Sequence, residues 1–174
     1  MKIAQIEHPE EKKRVVCYIL ESLPTWFEQE EGREKYIRES AEQVCLCAYD
    51  EEKPIGFLCL KETGKATVEL AVMGVLEEYH RSGIGRKLVL QAKQIAYEKG
   101  YSFLQVKTVQ MGVYEDYDRT NHFYLSLGFQ EFEVFPTLWD EANPCQIYVM
   151  ALEKTMDKIQ GLLDYFVAES LHIL

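Results

Sequence analysis

The feature that most constrains the fold of this chain is a glycine-containing junction between a predicted strand and a predicted helix. Residues 75–88 read VLEEYHRSGIGRKL, after an apolar strand over Thr67–Val75 and before an amphipathic helix. Glycines in such a turn allow positive φ and the close approach of a ligand. The first N–H groups of the helix have no intrahelical acceptor and lie at the positive end of its dipole. The sequence therefore predicts a phosphate-type anion site around Gly83 and Gly85.

Two other phosphate-binding loops do not fit this segment. The dinucleotide fingerprint Gly-x-Gly-x-x-Gly would need a third glycine where the chain has Leu88, and the pattern Gly-x-x-x-x-Gly-Lys-Ser/Thr is absent. The charge distribution agrees with an anion site, because the net charge is −10 while residues 81–99 hold five basic residues against one acidic residue. The acidic total argues against nucleic acid as a partner, since nucleic-acid surfaces need an excess of Lys and Arg.

Hydrophobic periodicity predicts one domain in which strands and helices are interspersed. Strands are expected at residues 2–7, 44–49, 55–61, 67–75, 103–109, 129–135 and 146–152, and helices at 9–22, 30–39, 85–100 and from Asp118 or Thr120 to 128. Gly74 is expected to mark a β-bulge in the strand over 67–75. An antiparallel meander precedes a single strand–loop–helix–strand unit, which favours a mixed α/β layer over a doubly wound parallel sheet.

The last residues form a separate pattern. From Lys154 to Leu174 the apolar residues recur at helical spacing, and they are Met156, Ile159, Leu162, Leu163, Phe166 and Val167. The pattern predicts an amphipathic helix that docks on the body of the protein or on a partner subunit, the second case giving a homodimer. We therefore divide the chain into a domain over residues 1–152 and a helical extension over residues 153–174.

The five cysteines are interpreted as reduced core thiols. No second Cys or His pair stands at zinc-ligand spacing, so no metal site is expected. The chain has no stretch of 18 apolar residues, so no membrane span is expected. Its first residues lack the apolar segment and small-residue cleavage site of a secretory signal. These observations predict a cytoplasmic protein.

The glycine-containing loop resembles the coenzyme A-binding motif of the GNAT acyltransferase superfamily. Members commonly carry Gln/Arg-x-x-Gly-x-Gly/Ala after a strand and an acidic-Tyr pair. Here Glu78-Tyr79 precedes the loop, and its two small residues are Gly83 and Gly85. His80 stands where Gln or Arg is usual. Backbone donors do most of the binding in such a loop, so this departure is tolerable.

A second motif strengthens the resemblance. Residues 123–129 read FYLSLGF, in which Tyr124 stands four residues before Gly128-Phe129, similar to the closing signature of the superfamily. With the predicted strand order, the resemblance covers residues 1–152. It implies the GNAT fold, an α/β structure with a mixed, mostly antiparallel sheet of six to seven strands and helices on both faces.

The resemblance implies an N-acetyltransferase that moves an acetyl group from acetyl-CoA, as co-substrate, to a primary amine of a small molecule by direct attack in a ternary complex. The pantetheine arm would pair with one strand edge, and Arg81 through Arg86 would hold the pyrophosphate. For Asn121 the match is weaker, because many members place an Asn where this chain has Tyr117. The cofactor-binding residues implied are Met73, Gly74, Val75, Arg81, Ser82, Gly83, Ile84, Gly85, Arg86, Asn121 and Tyr124.

Two residues are expected to transfer protons. An amine must be neutral to attack, and a free alkylamine has a pKa of about 10, so a general base is needed. Glu69 lies fourteen residues before Gly83, which is the spacing of the glutamate base in the histone-modifying members. Asp116 and Asp118 are alternative bases, and Tyr124 would protonate the leaving thiolate. The plainer readings are a solvent-facing strand residue for Glu69 and a core residue for Tyr124.

The acceptor site is expected at two aromatic segments. Trp26 and Phe27 lie between the first two predicted helices, and Trp139 lies in the last predicted loop. Clustered aromatics suit a stacked or cationic ligand, and nearby acidic residues favour a positively charged amine. Three other functions stay open, namely a protein or peptide N-acetyltransferase, a non-catalytic acyl-CoA-binding regulator, and a subunit that acts through its C-terminal helix.

Overall fold

The computed structural model describes residues 1–152 of the 174-residue chain, so the predicted helix over residues 153–174 lies outside the described residues. The strands are β1 (Lys2–Ile6), β2 (Val44–Asp50), β3 (Lys53–Gly64), β4 (Thr67–Val75), β5 (Phe103–Val109), β6 (Gln130–Asp140) and β7 (Asn143–Ala151). The helices are α1 (Pro9–Glu21), α2 (Glu30–Ser40), α3 (Ile84–Glu98) and α4 (Glu115–Ser126), with a 3-10 turn at Glu77–Tyr79. No helix in residues 1–152 has the length and apolar character needed to cross a membrane.

The seven strands form one sheet in the order β1-β2-β3-β4-β5-β7-β6. All neighbouring strands are antiparallel except β4 and β5, which are parallel. The predicted mixed, mostly antiparallel sheet is confirmed. β4 and β5 pair only where residues 67–70 lie opposite residues 103–106, although both strands continue further. We call the opening between their unpaired continuations the split.

Helices cover both faces of the sheet, as predicted. Gly74 lies under α1, because a Cβ at this position would be 3.1 Å from Ile19 Cγ2. Gly56 lies under α3, because a Cβ there would be 3.3 Å from Ile84 Cγ2. Gly74 pairs with Phe57, the neighbour of Gly56 on β3, so the two glycines point to opposite faces. We call these the α1 face and the α3 face, and α2 packs against α1.

The β-bulge in β4 lies at Ala71, so the prediction of a bulge at Gly74 was wrong. The pairing of β3 with β4 shifts its register beside Ala71, which is left as the extra residue, and Gly74 sits in regular pairing. Packing explains why position 74 is a glycine, because α1 leaves too little room there for a side chain.

The bulge changes which side chains share a face. Simple alternation would place Glu69 and Met73 together, but Glu69 pairs with Lys61 and Met73 pairs with Leu58. Lys61 and Leu58 are three positions apart on an alternating strand, so they and their partners face opposite sides. Lys61 Nζ lies 2.9 Å from a carboxylate oxygen of Glu39 on α2. Glu69 therefore lies on the α1 face and Met73 on the α3 face.

The start of α4 differs from the prediction. The helix begins at Glu115 with Tyr114 as its N-cap residue, earlier than the predicted caps Asp118 and Thr120. The Asp118 carboxylate instead accepts a hydrogen bond from the Gly112 N–H at 2.7 Å. Asp118 therefore stabilises the loop before the helix from a position inside the first turn.

The last two strands are longer than predicted. β6 reaches Asp140 and β7 starts at Asn143, so Pro136, Trp139 and Pro144 belong to a long hairpin and not to a loop. Pro136 is tolerated because β6 is the edge strand of the sheet, where a missing N–H removes no pairing that the sheet needs.

A buried lysine fixes the end of α2 against α1. Lys12 is 9% exposed, and its ammonium group donates to the backbone oxygens of Gln43 at 2.7 Å and Ala41 at 3.3 Å, just past the last residue of α2. Carbonyl groups at a helix C-terminus have no intrahelical donors, and they carry the negative end of the dipole. Lys12 supplies donors to the carbonyls of the C-cap residue Ala41 and of Gln43, and its charge matches the dipole of α2.

We expect Lys12→Met to lower the free energy of unfolding by about 1–3 kcal/mol, because a buried and a half-buried acceptor lose their donor. The midpoint of urea denaturation measures this change. The matched control is Lys13→Met, which removes an exposed ion pair with Glu10 at 2.8 Å and should change stability by less than about 0.5 kcal/mol. Equal shifts in the two variants would contradict the capping role.

Candidate active site

Within residues 1–152, the split leaves two strand edges without a sheet partner. β4 continues over residues 71–75 and β5 over residues 107–109 beyond their last mutual pair. Backbone N–H and C=O groups on such edges need another partner. An extended ligand that enters the split can supply it, as an added strand does at a sheet edge. Met73, Gly74 and Val75 lie on this unpaired edge of β4.

The loop before α3 presents a run of free backbone donors. The N–H groups of residues 81–86 donate no hydrogen bond to any group within residues 1–152. Arg81 and Gly83 have positive φ values of 59° and 83°. Where residues in the left-handed conformation follow residues in the right-handed one, successive N–H groups point into a shared concavity that can bind an anion. The first turn of α3 adds the positive end of its dipole.

Two guanidinium groups flank these donors. Arg86 Nη2 lies 3.5 Å from the backbone oxygen of Ser126 at the end of α4, and Arg81 is exposed. Within the described part of the chain, neither is paired with a carboxylate. The Ser82 hydroxyl donates to the Tyr79 backbone oxygen at 2.5 Å, which holds the loop in shape. The loop therefore offers positive charge as well as N–H donors.

His80, the departure from the usual motif, holds the loop to its surroundings. Its Nε2 atom lies 2.7 Å from the Val75 backbone oxygen. A carbonyl oxygen only accepts, so this ring nitrogen carries the proton. The ring also packs edge-on against Trp26, with centroids 5.8 Å apart. His80 thus connects the end of β4 with the segment between α1 and α2.

β4, α3 and α4 meet on the α3 face at Gly85. A Cβ at Gly85 would lie 3.2 Å from Phe123 Cζ and 3.5 Å from Met73 Cε. Phe123 belongs to α4 and Met73 to the unpaired edge of β4. α4 therefore lies beside the start of α3, next to both the free N–H groups and the split.

Tyr124 lies in a buried aromatic cluster behind the split. Its side chain is 5% exposed, and its ring centroid lies 5.4 Å from that of Phe123, 5.7 Å from that of Phe129 and 6.5 Å from that of Tyr148. Burial raises the pKa of Tyr124, and neighbouring Tyr36 adds to this effect. Its hydroxyl makes no hydrogen bond to another described residue. The phenol therefore holds its proton and has no partner in residues 1–152 that would engage it.

Asn121 fixes α4 to the sheet. It is fully buried, and its Nδ2 donates to the backbone oxygens of Val109 at 3.0 Å and Tyr117 at 2.7 Å. Its Oδ1 accepts a hydrogen bond from the Tyr148 hydroxyl at 2.7 Å. The side chain is engaged within the protein, so its geometry lends no support to the prediction that it contacts a cofactor.

Glu69 forms an ion pair with Lys107 across the base of the split. Lys107 Nζ lies 2.6 Å from Glu69 Oε2, with side-chain exposures of 25% and 13%. Glu69 is therefore not the solvent-facing strand residue of the plainer reading. Glu69 belongs to the last paired stretch of β4, and Lys107 is the first residue of β5 beyond that stretch.

The alternative bases are engaged elsewhere. Asp116 forms an ion pair with Arg119 one turn along α4, and Asp118 accepts the N–H of Gly112 as described above. Both are bound at the start of α4. Glu69 is the predicted base that lies beside the split.

The sequence of residues 12–129 matches the model of a family described as Acetyltransferase (GNAT) family. The chain belongs to this family. A search among curated proteins found no match. Solved GNAT structures share the fold, and one from Desulfovibrio desulfuricans superposes with a TM-score of 0.77 at 19% identity, covering 87% of this chain and 99% of that one.

Two other solved structures show how widely this GNAT fold is used. An aminoglycoside 6′-N-acetyltransferase complexed with coenzyme A gives a TM-score of 0.71 at 19% identity, covering 88% of this chain and 98% of that one. Ard1 from Thermoplasma volcanium gives 0.70 at 15% identity, covering 88% and 100%. At these identities the likeness establishes the fold alone.

The predicted acceptor aromatics of this GNAT protein are not brought together as one group. Trp26 packs on His80 of the loop. Phe27 packs edge-on against Tyr36 of α2, with centroids 6.2 Å apart. Trp139 is 46% exposed and lies near the tip of the β6–β7 hairpin.

Three residues of the site were missed by the sequence reasoning. Burial raises the pKa of Tyr36, and the charge of Glu69 is the next cause, so this phenol lies near the carboxylate. Burial also raises the pKa of Tyr117, which lies near Tyr36. Lys107 carried one usable signal, because it is the sole charged residue in the strand FLQVKTV. A cation in such a strand needs a partner, although the sequence does not say which one.

Proposed function

We propose that this protein transfers an acetyl group from acetyl-CoA to a primary amine of a small molecule, by direct attack while both substrates are bound. The observation that carries the proposal is the run of free N–H groups at residues 81–86 directly beside the split. A diphosphate needs several donors and positive charge, and this loop offers both. The extended arm of a coenzyme needs an unpaired strand edge, and the split offers one.

The cofactor would be held mainly by backbone. Residues 81–86 bind the pyrophosphate, with Arg81 and Arg86 adding charge, and residues 73–75 pair with the pantetheine arm. This arrangement points the thioester into the split between Tyr124 on one face and Glu69 on the other. The Asn121 side chain is left out of the proposed set, because its amide is occupied by other contacts.

Proton transfers through two side chains accompany the reaction. Glu69 accepts a proton from the acceptor ammonium, which frees the nitrogen lone pair to attack the thioester carbonyl. Tyr124 donates its proton to the sulfur as the carbon–sulfur bond breaks. The attacking nitrogen loses its second proton as the amide forms, which restores the Tyr124 phenol, and Glu69 returns its proton to water. A thiol has a pKa of about 8.5, so the thiolate needs only a weak acid. Burial keeps Tyr124 protonated for this step.

A cationic small molecule suits the acceptor side best. The α1 face beside the split carries Glu69, the Tyr36 phenol and the ring of Phe27, and the Tyr117 phenol of α4 lies near Tyr36. The Tyr117 phenol also lies near the charge of Glu28. A carboxylate and aromatic rings bind an ammonium group through ion pairing and cation–π contacts. The aminoglycoside acetyltransferase of the same fold agrees with an amine of this kind.

A thiol-release assay with acetyl-CoA tests the proposal against polyamines, aminoglycosides, amino acids and peptides. We expect turnover with a cationic small amine, together with binding of coenzyme A in isothermal titration calorimetry. Turnover with peptides alone would make the protein a peptide N-acetyltransferase. Coenzyme binding without turnover of any amine would favour a non-catalytic acyl-CoA-binding regulator. The absence of both coenzyme A binding and turnover would refute the proposal.

The five cysteines agree with a cytoplasmic location, which is part of the proposal. All five are free thiols, and four of them are buried. Free thiols are maintained in reducing compartments.

We expect Gly85→Ala to weaken coenzyme A binding about tenfold, because the added methyl group would crowd Phe123 beside the phosphate-binding N–H groups. Isothermal titration calorimetry measures the dissociation constant. The matched control is Gly64→Ala, since a Cβ at Gly64 meets no atom within 4 Å. The control should bind coenzyme A as the wild type does. A similar loss in both variants would indicate a general effect on folding.

A further inference from the structure

Lys107 occupies a special place in the sheet. Val106 forms the last pair with Leu70 across β4 and β5, and Lys107 is the next residue of β5. It therefore stands where the split opens. Its side chain contacts Glu69, which lies on the α1 face, and it is 25% exposed. A cation therefore lies at the inner end of the split, into which the proposed mechanism places the thioester.

The contact between Lys107 and Glu69 engages one carboxylate oxygen of Glu69, and the second oxygen takes no part in it. Lys107 Nζ lies 2.6 Å from Oε2, and Oε1 has no hydrogen-bond partner within residues 1–152. An ammonium–carboxylate hydrogen bond is charge-assisted, so it fixes the orientation of the carboxylate strongly. The free oxygen keeps lone pairs that can accept a proton.

The surroundings explain why Glu69 needs this partner. Its side chain is only 13% exposed. Cys145, which is fully buried on β7, lies near both charges of the pair. A carboxylate that has lost most of its water is costly unless a cation or hydrogen-bond donors replace that water. Among residues 1–152, Lys107 is the one cation within ion-pair distance of Glu69.

We propose that Lys107 is a positioning residue that holds Glu69 by one oxygen, so that the other oxygen faces the acceptor amine and takes its proton. The inference rests on the proposed function, because it assigns a role within that reaction. Lys107 itself donates no proton to either substrate. An ion pair that merely joined β4 to β5 would affect stability and not the rate of proton transfer.

Steady-state kinetics of Lys107→Met and Lys107→Arg test the inference with the best amine of the panel. We expect Lys107→Met to lower kcat by about 10- to 100-fold while the KM for the amine changes by less than about threefold. Lys107→Arg should recover most of the rate, since a guanidinium also donates to a carboxylate. The matched control is Lys61→Met, which removes the ion pair with Glu39 on the same face and should leave kcat unchanged.

A double variant separates positioning from strand joining. If Lys107 acts through Glu69, Glu69→Gln with Lys107→Met should be no slower than Glu69→Gln alone. Three results would each overturn the inference: unchanged kcat in Lys107→Met, no recovery of the rate in Lys107→Arg, or losses that multiply in the double variant. The proposed function would still stand in each case, because the wild type would turn over the amine. Absence of wild-type turnover with every amine would overturn both.

Discussion

Replacing Tyr124 with phenylalanine is expected to lower kcat by about 100-fold while the dissociation constant of coenzyme A changes by less than about twofold. The variant removes one hydroxyl group and keeps the ring that packs against Phe123, Phe129 and Tyr148. The loss should therefore fall on the departure of the thiolate and not on binding. Release of free thiol under saturating substrates measures kcat.

The control for this variant is Tyr101→Phe. Its hydroxyl donates to a Glu62 carboxylate oxygen at 2.6 Å, near the paired end of β4 and β5 and not at the split. Loss of this exposed bond should leave kcat unchanged. Wild-type activity in Tyr124→Phe would remove the acid from the mechanism and leave Tyr124 as a core residue.

The raised pKa of Tyr124 gives this prediction a pH signature. A tyrosine in water loses its proton near pH 10, and burial raises the pKa of Tyr124 above that value. A raised pKa means that the proton is held to higher pH, so the acid stays available where the acceptor amine becomes neutral. We expect no decline of kcat between about pH 8 and 10 that depends on Tyr124. A decline in that range that vanished in Tyr124→Phe would contradict this.

Replacing Glu69 with glutamine is expected to lower kcat by about 100- to 1,000-fold near neutral pH. Glutamine has the same shape and keeps an oxygen that Lys107 can approach, but its amide does not accept the proton of the amine. The deficit should shrink above about pH 10, because the free amine is then already neutral. A pH–rate profile of wild type and variant measures both effects.

Glu39→Gln is the matched control, because Glu39 is a carboxylate on the same face that pairs with Lys61. It should keep the wild-type rate. A deficit in Glu69→Gln that stayed constant at every pH would indicate a structural role for Glu69. Full activity would move the base to Asp116 or Asp118.

The conformation of the loop proposed to bind phosphate could be predicted from the sequence because its causes are local. Gly83 takes φ of 83°, which glycine adopts without strain, and the helix that follows leaves its first N–H groups free. Both effects depend on residues within one or two turns of the chain. The same holds for most strands and helices, whose hydrophobic period predicted them to within a few residues.

The bulge in β4 could not be placed from local sequence. Gly74 looked like a bulge residue, yet it is a glycine because Ile19, far earlier in the chain, lies 3.1 Å from where its Cβ would be. The actual bulge is at Ala71, a residue with no distinctive backbone preference. Which side chains near the split share a face was therefore decided by the register in which β3 pairs with β4.

The sequence by itself determined the approximate positions of the elements, the glycine-containing loop before α3 and the candidates for acid and base, because backbone preference and periodicity act over a few residues. Tertiary structure decided that Glu69 meets Lys107, 38 residues away, and that Tyr124 packs against the ring of Tyr148 on β7. β4 pairs with β5 in parallel as far as Leu70 and Val106, and this pairing brings Glu69 close to Lys107. Contacts of this kind depend on sheet topology. That topology results from many weak interactions between distant parts of the chain and cannot be inferred from any single segment.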